Sequence, residues 1–188
     1  MIRQGRTARG ASLATVAVAV TMTVAILAGA MGGAAQARPF DEGMAAAESG
    51  DFATALRIWA PLARQGHPNA QFNLAQMYAR GDGVPQDFVK AAHWYRLVAN
   101  QGFPEARFRL GVFFERGVGV PVDFLCAYMW HSLAATAGWQ PAEAHLEALA
   151  PTMTTGRVLW AQKMARDFKP DYPYCPDAPG LLDAAWME

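Results

Sequence analysis

Between residues 66 and 137 the apolar positions recur with the period of a helix. Ala70, Leu74, Met77 and Tyr78 fall on one face, and Asn69, Asn73, Gln76 and Arg80 fall on another at i, i+4, i+7 and i+11. Thirty-six residues on, the pattern returns. Gly66, Gly102 and Gly138 mark the period, and 16 of the 36 positions in 66–101 are identical in 102–137. Average composition would give about two or three identities by chance. Ala70/Ala106, Phe72/Phe108 and Leu74/Leu110 repeat, followed by Asp87-Phe88/Asp123-Phe124, Trp94/Trp130, Leu97/Leu133 and Ala99/Ala135. The period extends backward, where Asp51-Phe52 and Ala55 match Asp87-Phe88 and Ala91, and forward more faintly through Ala142 and Leu146.

Each unit predicts two helices. The first covers Pro68–Ala79 and, one unit later, Pro104–Glu115. Proline suits the first turn of a helix, where an N–H has no intrahelical partner. Gly81-Asp82-Gly83-Val84-Pro85 and Gly117-Val118-Gly119-Val120-Pro121 then stop it. Asp87 and Asp123 are placed to cap a second helix over Phe88–Asn100 and Phe124–Thr136. Ala91, Ala99, Ala127 and Ala135 permit close helix approach, while Trp94, Tyr95, Trp130 and Leu133 supply bulk. A lone hairpin cannot bury such a face, so the units must stack. The fold class expected is all-α: a right-handed solenoid of about four helix-turn-helix units over 38–168. Phe40–Ser49 with Phe52–Gln65 opens the array. Trp139–Leu149 with Thr155–Phe168 closes it, with a turn at Pro151-Thr152 and a cap at Thr154 or Thr155.

The two ends read differently. Arg3, Arg6 and Arg9 precede an apolar stretch from Ala11 to Ala30, and Ala35-Gln36-Ala37 is a small-x-small cleavage pattern. Residues 1–37 are expected to be a signal peptide, giving a periplasmic or secreted protein. The alternative is an inner-membrane anchor, since 11–30 is close to the ~20 residues that span a bilayer. Cleavage after Ala37 leaves 13 basic against 16 acidic residues, a net charge of −3. Without a basic run, nucleic acid is a disfavoured partner. Residues 169–188, with Pro170, Pro173, Pro176 and Pro179, read as an irregular tail in which Leu181, Leu182 and Trp186 suit a short docking helix. An oxidising compartment would allow Cys126 and Cys175 to pair and tie this tail to the last repeat, the alternative being two separate thiols.

Gln71-Phe72-Asn73-Leu74, Met77-Tyr78, the Gly81–Asp87 loop, Ala91-x-x-Trp94-Tyr95 and Gln101-Gly102 resemble a Sel1-like repeat. Residues 102–137 resemble it with losses, and Gly43–Gly66 is similar to a tetratricopeptide unit. The resemblance implies an α-solenoid acting as adaptor or scaffold, often exported, that binds proteins. A cysteine-rich branch of the family pairs two Cys within each repeat and is associated with β-lactam binding. The repeats here carry only Cys126, so that chemistry is not carried over.

Motifs for chemistry are absent. The Gly-x-Gly loops follow helices and lack a Lys-Ser/Thr, so they read as hairpin turns. His67, His93, His131 and His145 show no metal-ligand spacing, and a metal site would need distant residues to converge. His131 stands where the previous repeat has Tyr95 and reads as packing. Glu143 and Glu147 read as a solvated face. No catalytic residue, cofactor or metal is expected. The expected partner-binding surface is a concave stripe on the first helices of each unit: Asn69, Asn73, Gln76, Arg80, Arg109, Arg116 and His145. Its partner would be a protein or peptide. Two rival readings are a hydrolase or binder of cell-wall fragments, and a membrane-tethered scaffold.

Overall fold

A computed structural model of the chain describes residues 39–170 and Cys175. The signal-like segment 1–37 and the short helix expected near Leu181 lie outside the described residues. The chain divides into Met1–Pro39 and Phe40–Glu188, and the architecture below is that of the second unit.

The helices are α1 (39–48), α2 (Phe52–Arg64), α3 (Pro68–Arg80), α4 (Phe88–Asn100), α5 (Pro104–Arg116), α6 (Phe124–Thr136), α7 (Pro141–Leu149) and α8 (Thr155–Arg166). A 3₁₀ turn at Ala150–Thr152 links the last two. No strand occurs among the described residues. Each helix from α2 to α6 packs on the next, α6 also packs on α8, and the array is a right-handed α-solenoid.

The repeat is physical as well as textual. Asp51, Asp87 and Asp123 each cap the following helix, accepting from the N–H of Thr54 (3.0 Å), Lys90 (3.0 Å) and both Leu125 and Cys126 (2.9 and 3.1 Å). The N–H of Asp87 donates to Tyr78 O, and that of Asp123 to Phe114 O, both at 2.9 Å. One bond survives a change of residue. Gln71 Nε2 donates to Ala63 O at 3.0 Å, and Arg107, one repeat later, uses Nε to reach Ala99 O at 3.1 Å. Both side chains satisfy a carbonyl near the end of the preceding helix, where intrahelical donors run out.

Helix ends differ slightly from expectation. α3 and α5 run one residue further, to Arg80 and Arg116, because Gly81 and Gly117 adopt the left-handed cap and return their N–H to Met77 O and Phe113 O. α7 begins at Pro141 rather than Trp139, and α8 stops at Arg166 rather than Phe168. Thr154 is the residue that caps α8, accepting from Arg157 N–H at 3.4 Å.

Ala91, Ala99 and Ala127 are fully buried where helices meet, while Ala135, near the end of α6, is half-buried. Trp59, Trp94, Tyr95 and Trp130 fill the core around them. Helix α6 is apolar almost all the way round, as a helix enclosed by neighbours must be. Every residue from Cys126 to His131 is buried. Cys126 is joined by a disulfide to Cys175, 49 residues on, with the Cα atoms 5.7 Å apart. Arg96 Nη1 also donates to Cys175 O at 3.3 Å, so the tail is held at this point by two bonds. Closing a loop of this size restricts the unfolded chain, so Cys175→Ser is expected to cost about 2–4 kcal/mol. Urea melts of the variant and of the reduced wild type should agree. A variant as stable as the oxidised wild type would mean that the bond carries no stability.

Candidate functional site

The polar stripe begins on α3. Asn69 and Arg80 are exposed, and Asn73 and Gln76 are half-buried. Asn73, Gln76, Arg80 and Asp82 line a cleft of about 310 Å³ that α1 and α2 complete with Met44, Glu48, Phe52 and Trp59. Asn73 Nδ2 lies 3.3 Å from Met44 Sδ on the cleft wall. The apolar floor and polar rim would suit a side chain flanked by backbone amides.

Further along, the stripe is less free. Arg109 is exposed and pairs with Glu105 on its own helix at 3.2 Å, an ion pair of small energetic weight. Arg116 is exposed at the end of α5. His145 does not stand alone in solvent. Its Nδ1 lies 2.7 Å from Glu115 Oε2, and its ring stacks on that of His131 with centroids 4.7 Å apart.

Spacing along the chain gave no metal motif, but the fold brings Glu115 of α5, His131 of α6 and His145 of α7 together. One ligating atom from each lies within 4.8 Å of the other two. Glu115 carries two contacts, since His131 Nε2 approaches the same oxygen at 3.4 Å. His131 is fully buried, and its Nδ1 makes no hydrogen bond among the described residues. Burial, helped by His145, pushes its pKa down to about 4, against the pull of Glu115, so its ring is neutral near pH 7. Phe108 covers both imidazoles, with ring centroids 5.4 Å from His131 and 5.1 Å from His145. Glu115 was missed in the sequence, yet the signal was present. Set against the preceding repeat, Glu115, His131 and His145 replace Ala79, Tyr95 and Arg109.

Tyr95 shows what the ordinary repeat puts in this column. It is buried against Phe72 and Phe113, and burial raises its pKa to about 12. It packs and stays neutral.

Residues 68–103 and 104–139 each match the Sel1 repeat. The crystal structure of a Sel1 repeat protein from Oxalobacter formigenes is 32% identical with a TM-score of 0.56, the match covering 60% of this chain and 88% of that one. The chain belongs to the Sel1-repeat family. A protective antigen of uropathogenic Escherichia coli strains that displays an SLR fold superposes with a TM-score of 0.65 at 24% identity. That match covers 70% of this chain but only 29% of the antigen, and shows likeness of fold alone. No curated protein matches the sequence. Sel1-repeat proteins generally serve as scaffolds for protein–protein interaction. None of the helices among the described residues is long and apolar enough to cross a membrane.

Proposed function

We propose that this Sel1-repeat chain is an exported adaptor, not an enzyme, that holds a protein or peptide partner along the polar stripe of its α3 and α5 helices. The observation that carries the reading is the cleft rimmed by Asn73, Gln76 and Arg80, with Arg109 and Arg116 following at the repeat spacing. Amide and guanidinium donors in a row suit peptide carbonyls. Export is supported by the basic, apolar and small-x-small features of residues 1–37, and a disulfide favours an oxidising compartment.

The combined variant Asn73→Ala, Arg80→Ala, Arg109→Ala tests the stripe. Partner capture from envelope extract is expected to fall at least about tenfold, as removal of interface arginines commonly does. The comparison is made at matched melting temperature, because Asn73 also touches α1. Unchanged capture removes the stripe as the binding surface. Intact mass of the exported protein tests the leader. A new N-terminus at Arg38 supports a released form, and a retained leader supports the tethered scaffold.

A further inference from the structure

We propose that Glu115, His131 and His145 form a binding site for a first-row transition-metal dication, with Zn²⁺ as the fitting probe. The donor set comes first. Two imidazole nitrogens and one carboxylate oxygen suit zinc and its neighbours, whereas magnesium and calcium favour all-oxygen shells.

The two distances to Glu115 fit with little rearrangement. Tetrahedral ligands at about 2.0–2.1 Å from a metal stand roughly 3.3–3.5 Å from one another. Glu115 Oε2 and His131 Nε2 are already 3.4 Å apart. Glu115 and His145 are in direct contact at 2.7 Å, so an ion entering between them opens that pair by less than about 1 Å.

Two further observations point to a ligand and not to ordinary packing. The first is that His131 is wholly enclosed, with Nδ1 lacking a hydrogen bond among the described residues and Nε2 meeting the Glu115 carboxylate at 3.4 Å. Buried polar atoms are nearly always partnered, and a core residue needed only for bulk would be Tyr, as at 95, or Phe. The second lies in the repeat. Three departures from the repeat pattern meet at one point, although they sit on three different helices. A fourth accompanies them. Gly111 replaces Ala75, and a Cβ at 111 would come within 2.7–2.9 Å of three atoms of the His131 ring. Glycine inside a helix is unfavourable, and here it makes room for the imidazole.

Three protein ligands leave a fourth position open. The side chains of Glu115 and His145 are 26% and 27% exposed, so the ion and an outside ligand can reach it. The site joins the second repeat to the closing hairpin and stands apart from the α1–α3 cleft.

The test uses the purified, untagged chain stripped with chelator and titrated with Zn²⁺ by calorimetry, and with Co²⁺ by visible absorption. One Zn²⁺ per chain with micromolar or tighter affinity is expected, with a tetrahedral Co²⁺ spectrum and a higher melting temperature when loaded. His145→Ala and Glu115→Gln, both partly exposed and expected to fold, should each weaken binding by at least about tenfold. They should also abolish the thermal shift. His67→Ala, which removes a histidine that caps α3 outside the cluster, should bind as wild type does. Absence of stoichiometric binding, or binding and thermal shift unchanged in both ligand variants, overturns the proposal.

Discussion

Trp130→Ala is expected to lower the unfolding free energy by about 3–5 kcal/mol, the cost of deleting a large buried aromatic side chain. Trp130 is only 3% exposed and lies in α6, the helix enclosed by α5, α7 and α8. Its ring meets Phe168 edge-on at 5.2 Å, so the loss reaches beyond the last helix. A repeat array is held by contacts between neighbours, and a cavity in α6 weakens the second repeat and the closing hairpin together. The control is Trp160→Ala on α8, a residue that is 54% exposed. That change should stay within about 0.5 kcal/mol. Denaturant melts of the two variants make the comparison. A Trp130 variant that melts like wild type would mean that this ring is not part of the core.

Much of this architecture was legible because a 36-residue repeat states each structural rule twice. The aspartate caps, the Gly-x-Gly stops and the apolar columns could be read from one unit and checked against the next. What could not be read was contact between helices. The column of residues 59, 95 and 131 holds Trp, Tyr and His. Read along the chain, the last is one more bulky core residue. Only the packing of α5, α6 and α7 reveals that Glu115 and His145 face it. Arg107 illustrates the same limit. It differs chemically from Gln71, yet makes the repeat-equivalent bond, because the carbonyl it serves is fixed by the backbone rather than by the side chain. At the end of the array the repeat gave the wrong start for α7. The proline moves from position 68 in the first unit to 141 in the last, one residue later than the repeat would place it. The helix follows the proline, whose fixed φ belongs in the first turn.

Gly119→Ala is expected to cost about 3–5 kcal/mol, the strain of a left-handed residue plus that of overpacking against rigid atoms. Gly119 has φ of +69°, and a Cβ there would lie 2.1 Å from Phe88 O and 2.3 Å from Phe88 C. Those are backbone atoms at the start of α4, which no rotamer change can move aside. The same contact exists one repeat earlier, where a Cβ on Gly83 would lie 2.5 Å from Phe52 Cβ and 3.1 Å from Phe52 C. The loop after each first helix is thus seated on the opening turn of the preceding second helix, and glycine sets the spacing of the stack. Gly138 separates the two causes. It has φ of +86° but nothing within 4 Å of a Cβ, so Gly138→Ala pays for conformation only. Its cost should be about 1–2 kcal/mol. Urea melts of the two variants then measure the seating contact as a difference. If both lose the same stability, the loop does not rest on Phe88, and the repeats are held in register by their helices alone.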